Sequence, residues 1–182
     1  MSTDMSTGMS TDMSTDMSTD MSTDTSTYQP AVVPDEGTAT QVYRIVIKAT
    51  PQQIWDAITL PEFTRRYFHG AAITIRPDRY SSFGPDGSNW GDGDVLEWDP
   101  PHRVVHGWKS LYDPELVDET ESRVTWEITP DDDGTCLLTV IHDRLEGAPR
   151  TASGVAGAGW MGVLSALKTL LETGEPLHPY AP

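Results

Sequence analysis

The feature that most constrains this chain is a carboxy-terminal helix signature over residues 151–174, whose apolar members fall on one stripe. Ala156, Trp160, Val163, Leu164, Leu167, Leu170 and Leu171 recur in steps of three and four, so one face of the helix has to be buried against something else. Pro149 precedes it, Thr151 or Ser153 can cap it, Gly174 sits where a left-handed stop belongs, and Pro176 forbids continuation. Its first half carries Gly154, Gly157, Gly159 and Gly162, each costing about 1 kcal/mol of helix propensity relative to Ala. Small residues there either bring the backbone close to a sheet or leave room beside the helix for a ligand.

A partner for that stripe is legible upstream. Residues 41–48 alternate, with Tyr43, Ile45 and Ile47 on one side and Arg44, Val46 and Lys48 on the other, which is the period of a strand. Thr50 and Pro51 then open a short helix carrying Ile54, Trp55 and Ile58, and a second short helix runs from about Pro61 to Phe68. From Ala71 onward the text is strand and turn, with strands expected over 72–76, 79–83, 93–98, 103–110, 123–129 and 135–143. Pro85-Asp86-Gly87, Pro100-Pro101 and Asp131 to Gly134 mark the turns, and an acidic loop spans 112–121. Alternation is clearest where Val104, His106 and Trp108 share a face, as do Val124, Trp126 and Ile128, and Leu138, Val140 and His142. The expected class is α+β, an antiparallel meander wrapped on the last helix.

Residues 1–40 follow a different logic. A Met-Ser-Thr-Asp repeat fills the first 24 positions, and Asp one helical turn apart with few apolar residues predicts a disordered tail. Of 28 acidic residues, seven fall in residues 1–40, leaving 21 against 12 bases and a net charge of −9 in the remainder. Nucleic acid and anionic membranes both require basic surface, so neither is an expected partner. No basic, apolar leader and no membrane-spanning run is visible, and Cys136 is the single cysteine, which suits a reducing cytoplasm. The expected organisation is a tail at 1–40, one folded domain at 41–177 and a short tail at 178–182.

The run Val42-Tyr43-Arg44-Ile45-Val46-Ile47-Lys48-Ala49-Thr50-Pro51, continued by Ile54-Trp55-Asp56-Ala57-Ile58-Thr59, resembles the opening of the SRPBCC (START-like) superfamily. More narrowly it is similar to bacterial proteins related to the carboxy-terminal domain of the activator of heat-shock protein 90 ATPase. Gly91-Asp92-Gly93, Val95-Leu96-Glu97, Asp99-Pro100-Pro101, Trp108, Ser122 to Glu127, Leu138-Thr139-Val140 with His142, and the closing Leu164 to Glu175 extend the likeness in order. The stretch between Ile75 and Tyr80 is shorter than the family pattern. The resemblance implies a helix-grip fold of six or seven strands around a long terminal helix, with two short helices after the first strand and a cavity beneath the long helix.

The residues themselves supply no metal site. His102 and His106 stand four residues apart on a strand, which separates them by about 13 Å, and His142 falls about 10 Å from His106 across two strands. Asp86, Ser88, Gly91 and Glu97 imitate a calcium loop, but Trp90 takes a ligand position and strands flank it. No cofactor is expected. Glu97, His106, His142 and Tyr112 are candidate acids and bases, yet no nucleophile stands beside a base, so no catalytic residue is assigned. His69 and His178 lie at element ends, as surface residues do. The expected cavity lining is Tyr43, Trp55, Phe68, Glu97, His106, Trp108, Trp126, Val140, His142, Trp160 and Leu164. The first functional expectation is binding of a small apolar or aromatic molecule by a monomer or homodimer. A protein-interaction module resembling the chaperone activator is the alternative, and a cyclase- or dehydratase-like enzyme is the second.

Overall fold

The computed structural model describes residues 40–178, so the expectations for the repeat tail and for residues 179–182 lie outside the described residues. Strands β1 (Thr40–Ile47), β2 (Ala72–Arg76), β3 (Arg79–Phe83), β4 (Asn89–Asp99), β5 (Arg103–Trp108), β6 (Ser122–Pro130) and β7 (Cys136–Asp143) form one seven-stranded sheet. Its order is β1-β7-β6-β5-β4-β3-β2, antiparallel throughout. Helices α1 (Pro51–Thr59) and α2 (Pro61–Tyr67) follow β1. The shortened stretch after Ile75 is a tight β2–β3 hairpin in which Arg76 pairs with Arg79.

Local chemistry accounts for these boundaries. Thr50 and Gln53 form a reciprocal capping box at α1, the Gln53 amide donating to Thr50 Oγ1 at 3.2 Å and the Thr50 amide to Gln53 Oε1 at 2.9 Å. β4 starts at Asn89, before the strand expected over 93–98, because Asn89, Gly91 and Asp92 already pair with β3. A Cβ on Gly91 would stand 2.6 Å from the Lys109 carbonyl oxygen, and this close approach lets β4 pair with β3 early and β5 late. Register shifts at Ser82/Phe83 and Val95/Glu97 add curvature.

The terminal segment departs from the single helix expected. It divides into α3 (Pro149–Val155) and α4 (Ala158–Thr173), bent by 44°. Ala156 is extended and Gly157 has φ 52° and ψ −110°, a conformation open in practice to glycine alone. The break satisfies sterics as well, since a Cβ on Gly159 would meet the Gly154 carbonyl oxygen at 2.7 Å. Neither Thr151 nor Ser153 caps α3. The carboxylate of Glu119 does so from the acidic loop, accepting from the Arg150 amide at 2.6 Å and the Thr151 amide at 2.9 Å.

Past the break the stripe is as expected. Trp160, Val163, Leu164, Leu167 and Leu170 are buried with Ile47, Ile54, Val104, Val124, Leu138 and Val140 in one core, and Gly174 ends α4 in the left-handed conformation. Among the described residues no single helix is long and apolar enough to cross a membrane. A curved antiparallel sheet gripping a terminal helix, with two short helices after the first strand, is the helix-grip arrangement.

Candidate functional site

The concave face of the sheet and the bent helix pair enclose a pocket of about 300 Å³. Phe68 reaches it from the end of α2, Tyr80 and Ser82 from β3, Trp90 from β4 and Trp108 from β5. Tyr112 enters from the acidic loop, Gly154 and Val155 from α3, and Gly159, Trp160 and Val163 from α4. The helix break therefore shapes the roof. Beside these lies His69, exposed and held at φ 51°, a left-handed conformation that non-glycine residues adopt only when their surroundings impose it.

The walls are rings set against rings. Tyr80 stacks on Trp108 with centroids 5.6 Å apart, Phe68 meets Trp160 edge-on at 6.0 Å, Trp108 and Trp160 lie at 5.9 Å, and Trp90 and Tyr112 at 6.0 Å. Trp90 lies directly over the backbone of Gly84, where any side chain would collide with its indole. Burial raises the Tyr80 and Tyr112 hydroxyls above their ordinary pKa, and nearby carboxylates add to it. Both remain neutral hydroxyls at physiological pH.

Three of the eleven expected lining residues, Phe68, Trp108 and Trp160, border this pocket. His106, Trp126 and His142 sit one layer deeper, where protein groups complete both imidazoles. His106 donates from Nδ1 to the Gly107 carbonyl at 2.8 Å and accepts the Trp126 indole N–H on Nε2 at 3.3 Å. His142 accepts the Trp160 indole N–H on Nδ1 at 3.2 Å, and its Nε2 meets Ser122 Oγ at 2.8 Å. The Ser122 hydroxyl in turn donates to the Trp108 carbonyl at 3.2 Å. Burial lowers His106 to about 4, partly opposed by the Gly107 hydrogen bond. His142 is lowered to about 3 by burial first and by the neighbouring His106 charge second. Both rings are neutral near pH 7, with both nitrogens used.

The remaining expected positions are elsewhere. Tyr43 fastens the helix break, its oxygen accepting from the Gly157 amide at 3.1 Å while its hydroxyl donates to Gln41 Oε1 at 2.9 Å. Val140 and Leu164 are solid core. Glu97 is exposed and pairs with Arg103 at 2.9 Å. Trp55 packs edge-on to Trp98 at 4.9 Å and lines a different groove with Leu60, Pro61 and Arg76. Tyr80 and Trp90 are not among the expected site residues because they lie on strands of mixed polarity, and Tyr112, a candidate acid or base in the sequence, is not among the expected lining residues because it lies in a loop. The signal that could have found Trp90 is Gly84, where a Cβ would stand 2.3 Å from the Trp90 indole. Among the described residues no three His, Cys, Asp or Glu side chains converge as metal ligands.

The family model described as "Activator of Hsp90 ATPase homolog 1-like protein" matches residues 48–172. The chain belongs to that family, within the SRPBCC superfamily. Among solved structures, a Mesorhizobium loti protein is 25% identical with a TM-score of 0.59, over 73% of this chain and 96% of that one. CalU16 of Micromonospora echinospora is 21% identical with a TM-score of 0.56, over 74% and 77%. The Aha1 dimer of Colwellia psychrerythraea is 20% identical with a TM-score of 0.56, over 74% and 97%. No curated protein matches the chain. The last two likenesses are of fold alone.

Proposed function

We propose that this family member binds a small, largely apolar molecule with an aromatic or similarly flat body, in the pocket between the sheet and the α3–α4 pair, without turning it over. The observation that carries this reading is the ring-walled space of about 300 Å³, within the size range of small-molecule sites. Binding rather than catalysis is favoured because both buried histidines spend their nitrogens on protein partners. A cytoplasmic setting, with the single cysteine reduced, belongs to the same reading.

The test is native mass spectrometry of the protein purified from its own host. A bound small molecule that Trp108→Ala releases is the expected result. The family model's description favours a second reading, a module that docks on a chaperone. A protein partner in the same spectrum, with an empty pocket, would select it.

A further inference from the structure

Resting on the pocket reading above, we infer that the ligand is a small organic cation, an amine or quaternary ammonium compound, held among the rings of Phe68, Tyr80, Trp90, Trp108, Tyr112 and Trp160. Aromatic faces carry negative quadrupole density, and a cation seated within about 6 Å of a ring centroid gains more from it as water is excluded. Six rings line one cavity, and one face of Tyr80 is already taken by the stacked His106 ring at 4.3 Å.

The charge inventory points the same way. None of the lining residues is Lys or Arg, so an anionic ligand would lose its hydration without a fixed counter-charge. His69, a lining residue, stands exposed to water rather than deep among the rings. Tyr112 belongs to a loop whose next nine positions hold Asp113, Glu115, Asp118, Glu119 and Glu121 and no base. Glu115 pairs with Arg150, and Glu119 caps α3 with Lys109 beside it. Asp113 and Glu119 both act on the Tyr112 hydroxyl, and Asp92, paired with Arg79, acts on Tyr80. Residues 41–182 carry a net −9, and a low-dielectric cleft in such a field concentrates cations at its mouth.

The experiment is calorimetric titration of the full chain with three probes of one shape: (3-hydroxyphenyl)trimethylammonium, its neutral isostere 3-tert-butylphenol, and 3-hydroxybenzoate. The expected order is cation tightest, by about ten-fold over the neutral isostere, a factor typical of a desolvated cation–ring contact, with benzoate weakest. Tyr112→Leu should narrow that margin by lowering the cation's affinity more than the phenol's, and Tyr112→Phe should keep it. Equal or tighter binding of the phenol or the benzoate overturns the cation inference and leaves the pocket reading standing. A cation margin unchanged in Tyr112→Leu also overturns it, assigning the margin to surface charge. Failure of all three probes to bind removes both the inference and the pocket reading.

Discussion

The indole N–H of Trp126 donates to Nε2 of His106 at 3.3 Å, on a ring whose other nitrogen already donates to the Gly107 carbonyl. An imidazole bonded on both sides has no valence left for a ligand, so its role is to tie β5 to β6 inside the core. His106→Phe removes both bonds and leaves the Trp126 N–H buried without an acceptor, a loss of about 1 to 3 kcal/mol. Denaturant unfolding should register that loss, and pocket occupancy should stay unchanged.

The two histidines set the acid side of the stability curve. Both have folded-state pKa values, about 4 and about 3, below the ordinary 6.5. The unfolded chain therefore binds more protons than the folded one between pH 6.5 and 4. The stability associated with keeping them neutral is fully present above about pH 6.5 and is lost as pH falls through that window, by about 1.4 kcal/mol per pH unit for each ring. His142 lies beside Asp143, which opposes its shift, and beside His106, which reinforces it. Urea midpoints taken from pH 7.5 to 4.5 should slope downward toward acid, and His142→Gln should flatten the slope.

Glycines in the terminal segment should divide by position rather than follow helix propensity. Gly162 faces open space in regular helix, so Gly162→Ala should gain about 1 kcal/mol. Gly157→Ala should lose stability, because φ 52° with ψ −110° is closed to an L side chain. Scanning calorimetry of the two variants should show midpoint shifts of opposite sign.

Much of this was legible in the sequence. Period-two alternation located β5, β6 and β7, and the three-four spacing of Trp160 to Leu170 identified the gripped helix, because burial on one face writes itself into a local pattern. The break at Ala156 and Gly157 was not legible as a break. Four glycines signal a weak helix, but choosing between a close approach and an open conformation requires knowing that Tyr43 and Gln41 hold the segment from across the sheet. The inward positions of His106, Trp126 and His142 follow from strand alternation, whereas their mutual satisfaction depends on cross-strand register and could not be read locally. Trp90 and Tyr112 reach the pocket through the curvature of β4 and the fold of the acidic loop, both non-local.

Glu119 joins that loop to the roof. Its carboxylate accepts two α3 amides and the Thr151 hydroxyl, so Glu119→Gln should cost about 1 kcal/mol, as the loss of a charged amino-terminal cap does. Amide exchange over residues 149–157 should accelerate, while exchange in α4 beyond Val163 should not.

The central claim is that the space beneath the helix break is the ligand site, and the six tryptophans test it without any labelling chemistry. Trp90, Trp108 and Trp160 line the pocket, and Trp55, Trp98 and Trp126 do not. In a titration with (3-hydroxyphenyl)trimethylammonium followed through indole N–H resonances by two-dimensional NMR, the signals of Trp90, Trp108 and Trp160 should move together and saturate with one dissociation constant. Trp126, locked on His106, should stay in place. Saturating shifts confined to Trp55 and Trp98, or no saturating shift at all, would contradict the account.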